Sequence, residues 1–375
     1  MLFAMRSGFA LFLLSTAVAL GQQPRPEDLF NQAIQDQQQG NYAAAIHDYE
    51  EVLRLQPDKL EARANLAVAL AHERHYDEAI REYRQVLAAA PHDPGLLVDL
   101  GLAYYKKADY QDAEQQFEMA TRFEAPDSRL SVLLGDCEVH TGHAAEAART
   151  LLPLEPANTS NPDFEYVLGT AMIQSGHRLD GVDRLERVGA AAQNANAYMQ
   201  AGSTLMDLNR FARAQTDLEA ALRLDPNLSG IYTNLGMARD MNGDAAAAEP
   251  DLREALRRNP NDFNANLYLG SILYKRRDMT EARTFLDRAL QIEPASPTAR
   301  YQVAMWESTS GDYAAAARDL EALEKAHPDW LQPHVELAVV YYRLNRPADG
   351  MRERDIVARI RANQQEAGPP EIQQP

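Results

Sequence analysis

Apolar and small residues return along this chain at a fixed spacing. The pair Leu100 and Gly101 occupies a slot filled elsewhere by Gln32/Ala33, Leu66/Ala67, Leu134/Gly135, Leu168/Gly169, Ala201/Gly202, Leu235/Gly236, Leu269/Gly270, Val303/Ala304 and Leu337/Ala338. Each step is 34 residues, except one of 33 between Leu168 and Ala201. A second slot holds Ala45, Ala79, Ala113, Ala147, Gly181, Ala214, Ala248, Ala282, Ala316 and Gly350 with the same steps. Pro57, Pro91, Pro226, Pro260, Pro294 and Pro328 close units at a third. Two independent registers with one period define a tandem repeat of ten units.

Within a unit the apolar spacing changes partway. In residues 60–93, Leu66, Ala67 and Leu70 lie on one face of a helix. A polar turn follows, which elsewhere contains Gly40, Gly142, Gly176, Gly243 or Gly311. Tyr76 opens a second helix, on which Ala79, Tyr83 and Val86 share a face. Pro91 ends it, because proline cannot continue the hydrogen-bond ladder. Each unit is therefore a helix–turn–helix hairpin. One hairpin cannot bury its apolar stripe alone, so the units must stack. The predicted fold is all-α, a solenoid of about ten hairpins.

The pattern resembles the tetratricopeptide repeat (TPR) family. Tyr232, Leu235 and Gly236, then Ala248, Leu252 and Pro260, follow the family's motif, as do Leu97, Leu100, Gly101 and Tyr104, then Ala113 and Phe117. The resemblance covers residues 26–364. It implies an α-α superhelix whose first helices line a concave face, and a scaffold that binds other proteins rather than an enzyme. The fold by itself names no partner.

Two blocks are expected, 22–161 (units one to four) and 162–364 (units five to ten, closed by an arginine-bearing capping helix). Between 128 and 194 the pattern weakens. Pro153 and Pro156 interrupt a second helix, 158–162 reads as a loop, and Gly176, Gly181 and Gly189 suggest a soft segment that could serve as a hinge. Residues 365–375 read as a disordered tail. At the other end, Arg6, an uncharged run from Gly8 to Leu20, and small residues at Ala19 and Gly21 read as a secretory signal over 1–21. The expected product is exported, periplasmic or extracellular, and free of the membrane after cleavage near Gly21.

Charge and chemistry narrow the function. The net charge is −18, and a phosphate-binding surface needs the opposite sign, which excludes nucleic acid as a partner. Residues 22–160 alone carry 24 acidic and 12 basic side chains. A single cysteine excludes a disulfide framework. No nucleophile elbow, phosphate-cradling loop or zincin motif is present, and no cofactor is expected. His72 and His75 read as surface residues. Cys137, His140 and His143 are spaced like ligands and support an alternative reading as a metal-handling or enzymatic protein, although Cys137 falls in a slot of small core residues.

The first helices offer a better candidate. A ridge offset by one residue from the Leu–Gly slots faces the expected groove. Twenty-two of its thirty positions are apolar and none is basic. That argues against a clamp for a carboxylate terminus, despite Asn65 and Asn234, and in favour of an apolar or amphipathic segment of a partner protein. The candidate binding residues are Tyr105, Tyr166, Met199, Met206, Met237, Tyr274, Tyr301, Met305 and Tyr342. A homo-oligomer that fills its own groove is the remaining alternative.

Overall fold

The computed structural model describes residues 25–366. The expected signal (1–21) and residues 367–375 of the expected tail lie outside them. Two compact units divide at Gly142 and His143. Among the described residues the regular structure is entirely helical.

The first unit contains α1 (Pro26–Gln38), α2 (Tyr42–Leu55), α3 (Leu60–His72), α4 (Tyr76–Ala89), α5 (Pro94–Lys106), α6 (Tyr110–Thr121) and α7 (Ser128–Thr141). Consecutive helices pair as antiparallel hairpins, and each hairpin leans on the next. The small slot sets how closely the helices approach. A Cβ on Gly101 of α5 would lie 2.5 Å from the ring of Phe117 on α6. Tyr49, Ala67, Tyr83, Leu100 and Phe117 form one continuous core along this unit.

The second unit begins with α8 (Ala144–Leu151). A 3-10 turn over 152–154 and the single-turn α9 (Glu155–Asn158) follow, with Pro153 and Pro156 at their starts. The proline-interrupted second helix of unit four therefore takes the form of three short pieces. Then come α10 (Pro162–Gln174), α11 (Arg178–Ala192), α12 (Ala195–Asp207), α13 (Phe211–Leu224), α14 (Ile231–Met241) and α15 (Ala245–Arg258). The last are α16 (Phe263–Lys275), α17 (Met279–Ile292), α18 (Pro297–Ser310), α19 (Tyr313–Ala326), α20 (Leu331–Arg343) and α21 (Pro347–Glu366). The helical glycines of unit five stand at close contacts. A Cβ on Gly181 would sit 2.5 Å from the carbonyl oxygen of Gly169, and one on Gly189 would sit 2.7 Å from the ring of Tyr198. Helix α21 runs through Gln365 and Glu366.

Local chemistry sets the helix boundaries. Asp93, Asp127, Asn194 and Asp262 cap first helices by accepting a backbone N–H three residues on. Every hairpin turn holds one residue in the left-handed region, at 40, 74, 108, 142, 176, 209, 243, 277, 311 and 345. Five of these are glycine and two are asparagine, the residues that tolerate it best. Arg74, Ala108 and Arg277 adopt it at a cost.

A polar device also recurs that the apolar period does not announce. Three residues before the Leu–Gly slot, the first helix carries a donor that reaches the carbonyl of the preceding unit's closing proline. Arg63 donates to Pro57 (2.9 Å), Asn266 to Pro260 (3.1 Å) and Arg300 to Pro294 (3.1 Å), and His334 Nε2 reaches Pro328 (2.9 Å). The same residue often pairs across its hairpin with a side chain 19 positions on, as in Arg63–Glu82 (2.5 Å) and Arg300–Asp319 (3.5 Å). A carbonyl left over where the second helix stops thus gains a partner.

Candidate functional site

The exposed faces of the first helices are where the stack can meet another molecule. In the second unit α12, α14, α16, α18 and α20 each also touch the neighbouring first helix. The ridge on these helices is therefore shared between packing and exposure.

The nine predicted residues divide accordingly. In the first unit, Tyr105 is half-buried, its hydroxyl donates to Asp136 Oδ2 (2.7 Å), and its ring meets Tyr110 edge-on at 5.6 Å. In the second unit, Tyr166, Met199 and Met206 are half-buried against the core of α11 to α14. Met199 Sδ lies 3.7 Å from Asn234 Nδ2, which also donates to Ser203 Oγ at 3.1 Å. Met237 is half-buried on α14. Tyr274 exchanges a hydrogen bond with Thr309 (2.7 Å), and Tyr301 packs its ring 5.3 Å from Trp330. Met305 is half-buried on α18. Tyr342 is exposed, and with it Val335 and Val339, at 39%, 49% and 42% in chain order. All three lie on α20, the last first helix among the described residues. The ridge of the second unit is thus partly consumed in joining neighbouring helices and becomes an open apolar face on α20.

The row is less neutral than its own side chains suggest. Lys275 approaches Asp240 at 3.6 Å, so a cation reaches the face from the end of α16. In the first unit a pocket of about 400 Å³ has an apolar floor of Val68, Ala71 and Leu102 and a rim of His72, Arg74, Asp99 and Lys106. Tyr83 and Asp99 line it too, and burial raises the pKa of both. Sequence reasoning found the floor and missed the rim. His72, Arg74 and Lys106 come from helix ends and the turn and Asp99 from the middle of α5, all outside the ridge spacing.

The cysteine-centred alternative finds little chemical support. Cys137 is fully buried, and burial, with Asp136 next, pushes its thiol up to about 12, away from the thiolate that binds metals. His140 stacks on Tyr110 at 4.0 Å and directs Nδ1 to the carbonyl of Asp136 at 2.8 Å. His72 stacks on Tyr42 at 4.3 Å.

These hairpins, their turn register and their small–large packing define an α-helical repeat protein. Tetratricopeptide repeat families match residues 30–94, 233–298 and 308–353, residues 70–133, and residues 195–228. The chain belongs to the tetratricopeptide repeat family. Comparison with curated proteins finds no match. Among solved structures, the chain is similar to the APC/C hetero-tetramer Cut9–Hcn1, with a TM-score of 0.51 and 14% identity over 90% of this chain and 74% of that one. It is also similar to YrrB, described as a TPR protein with an unusual peptide-binding site (TM-score 0.42, 18% identity, 49% of this chain and 95% of that one). A third is pilF of Pseudomonas aeruginosa (TM-score 0.43, 19% identity, 65% and 94%). At these identities the likeness concerns the fold alone. Among the described residues no helix is long and apolar enough to cross a membrane.

Proposed function

We propose that the chain is a non-enzymatic scaffold of the cell envelope that holds an apolar or amphipathic segment of a partner protein on its first-helix faces. The observation that carries this reading is the pocket between α3 and α5, where an apolar floor is ringed by charges of both signs. Apolar side chains of a bound segment would fill the floor, while its backbone and polar side chains would meet Arg74, Asp99 and Lys106. The half-buried methionines and tyrosines of the second unit extend the same chemistry, since methionine adapts to shape and tyrosine offers area with a polar tip. Export by residues 1–21, with a periplasmic or extracellular destination, is part of the proposal, and so is a hinge within 128–194.

A photo-crosslinker placed at Leu102, with mass spectrometry of the captured peptide, tests the binding. The captured segment, made as a synthetic peptide, should bind the wild-type chain and lose at least tenfold in affinity on Leu102→Glu, with unchanged circular dichroism. Equal affinity for both chains removes the groove from the account. Intact mass of the chain from the periplasm should correspond to a start near Gln22. Light scattering across concentrations separates partner binding from self-association.

A further inference from the structure

The last hairpin contains a buried cluster that the scaffold reading does not use. His334 on α20 is 1% exposed and Glu353 on α21 is 5% exposed, and His334 Nδ1 lies 2.7 Å from Glu353 Oε2. Glu324, from the preceding α19, joins them, and one ligand atom from each of the three lies within 4.8 Å of the others. The other ring nitrogen, Nε2, faces the carbonyl oxygen of Pro328 at 2.9 Å. A carbonyl only accepts, so Nε2 carries the proton. The other ring atom, Nδ1, is then the one that faces the carboxylates, 2.7 Å from Glu353 Oε2. A carbonyl partner that fixes the tautomer in this way is the usual outer support of a metal-ligating histidine.

Comparison within the chain shows what the cluster lacks. The equivalent positions in unit five are Glu155, Glu165 and Arg184. There Arg184 bridges both carboxylates, pairing with Glu155 and lying 3.1 Å from Glu165, so a permanent cation sits between two acids. In the last unit the arginine position is Glu353, His334 takes the place beside it, and Arg352 acts on Glu324 by charge alone. Among the described residues, His334 is the basic group within 4 Å of Glu353. The Glu324 position is leucine in five other units, at Leu53, Leu87, Leu222, Leu256 and Leu290. An acid there is therefore an addition to the repeat rather than part of it. Its carboxyl is pushed above the usual range by burial and then by the charge of Glu353.

We propose that Glu324, His334 and Glu353 form a binding site for a divalent transition-metal ion, with Zn²⁺ the best fit, which ties α19, α20 and α21 together. One nitrogen and two carboxylate oxygens suit Zn²⁺, whose tetrahedral geometry leaves the fourth position to water. Metal–ligand distances of about 2.0–2.2 Å put neighbouring ligand atoms about 3.3 Å apart, so a shift of up to about 1.5 Å by the half-buried Glu324 and a slight opening of the 2.7 Å His334–Glu353 contact form the site. The ion would supply the positive charge that Arg184 supplies in unit five.

The test uses the full chain, freed of metal and then loaded with Zn²⁺ or Co²⁺ alone. One equivalent of Zn²⁺ should survive desalting, and Co²⁺ should give the d–d absorption of a low-symmetry four-coordinate site. Glu324→Leu restores the residue other units use and so keeps the fold. It should weaken Zn²⁺ binding at least tenfold and abolish the rise in unfolding temperature that Zn²⁺ produces in the wild type. His334→Gln, which can still donate to Pro328, should do the same. Retention of Zn²⁺ unchanged in both variants would assign it to surface histidines and overturn the proposal. So would an absence of retained Zn²⁺ in the wild type, with stability that instead rises on acidification in a His334-dependent way. That result would mean a proton, not a metal, occupies the Nδ1 position.

Discussion

The hairpins α3/α4 and α12/α13 carry the same two polar slots and fill them differently. In α3/α4, Arg63 faces Glu82 at 2.5 Å and also donates to the carbonyl of Pro57. In α12/α13 the first slot is Tyr198, whose ring packs against Gly189, and the second is Asp217. The arginine that acts on Asp217, Arg213 one turn earlier on α13, pairs with Glu186 and Asp183 instead. Asp217 Oδ2 has no hydrogen-bond partner, and the residue's pKa is raised to about 7, first by burial and then by the charge of Glu186. An acid placed inside a helical hairpin needs a fixed cation. Where the repeat supplies an aromatic ring instead, the pKa of the acid rises.

Breaking the satisfied pair should have the largest effect. Arg63→Met leaves Glu82, which is 19% exposed, without its cation and should cost about 2–3 kcal/mol in chemical denaturation. Adding Glu82→Leu should recover most of that loss, because two apolar groups no longer need each other's charge. A double variant as unstable as the single one would mean that Arg63 acts through Pro57 alone.

Relieving the unsatisfied acid should have the opposite sign and depend on pH. The folded pKa of Asp217 is raised, so the folded state holds this proton more tightly than the unfolded chain does. Stability from this group is greatest at low pH and falls as pH rises through the window from about 4 to about 7. Asp217→Asn should therefore stabilise the protein by about 1–2 kcal/mol at pH 8.5. The gain should shrink toward zero below about pH 4, where the aspartate is protonated in both states. A constant difference from pH 4 to pH 9 would contradict a titrating Asp217.

Smaller changes probe the ends of the same hairpins. Asn194 caps α12 by accepting from Ala197 N at 3.0 Å, and Asn194→Ala should cost about 1 kcal/mol. The residue before α3, Lys59, makes no side-chain cap. In the turns, Arg74 has φ 64° and Asn209 has φ 57°. Arg74→Gly should stabilise α3/α4 by about 0.5 kcal/mol, and Asn209→Gly should change α12/α13 less, since asparagine already tolerates the left-handed region. Matched thermal scans of the two glycine variants check this.

Much of the architecture was readable before any coordinates. The Leu–Gly slot and the small slot mark every hairpin, and closing prolines mark six, because each unit must solve the same packing problem against the next. The interrupted helix of unit four was legible at Pro153 and Pro156, where the ladder cannot continue. The glycines of unit five were harder to read. Gly181 stands where two helix backbones meet, a contact its sequence position alone does not show. The ridge residues were visible as a class, yet Tyr274 and Tyr301 are tied to neighbouring side chains while Tyr342 is exposed.

By itself the sequence determined the repeat, its period, the helix pair within each unit and the apolar character of the inner ridge. These are short-range properties, set by spacing along one helix and repeated ten times. Only the tertiary structure decided which polar residues meet. Arg63 and Glu82 are 19 residues apart, and Glu324, His334 and Glu353 come from three different helices. Such pairings occupy slots that are polar in some units and apolar in others, so they leave no period to read. They form where helix packing brings two side chains into a space that water has left, and the cost of an unpartnered charge there makes the choice of neighbour matter.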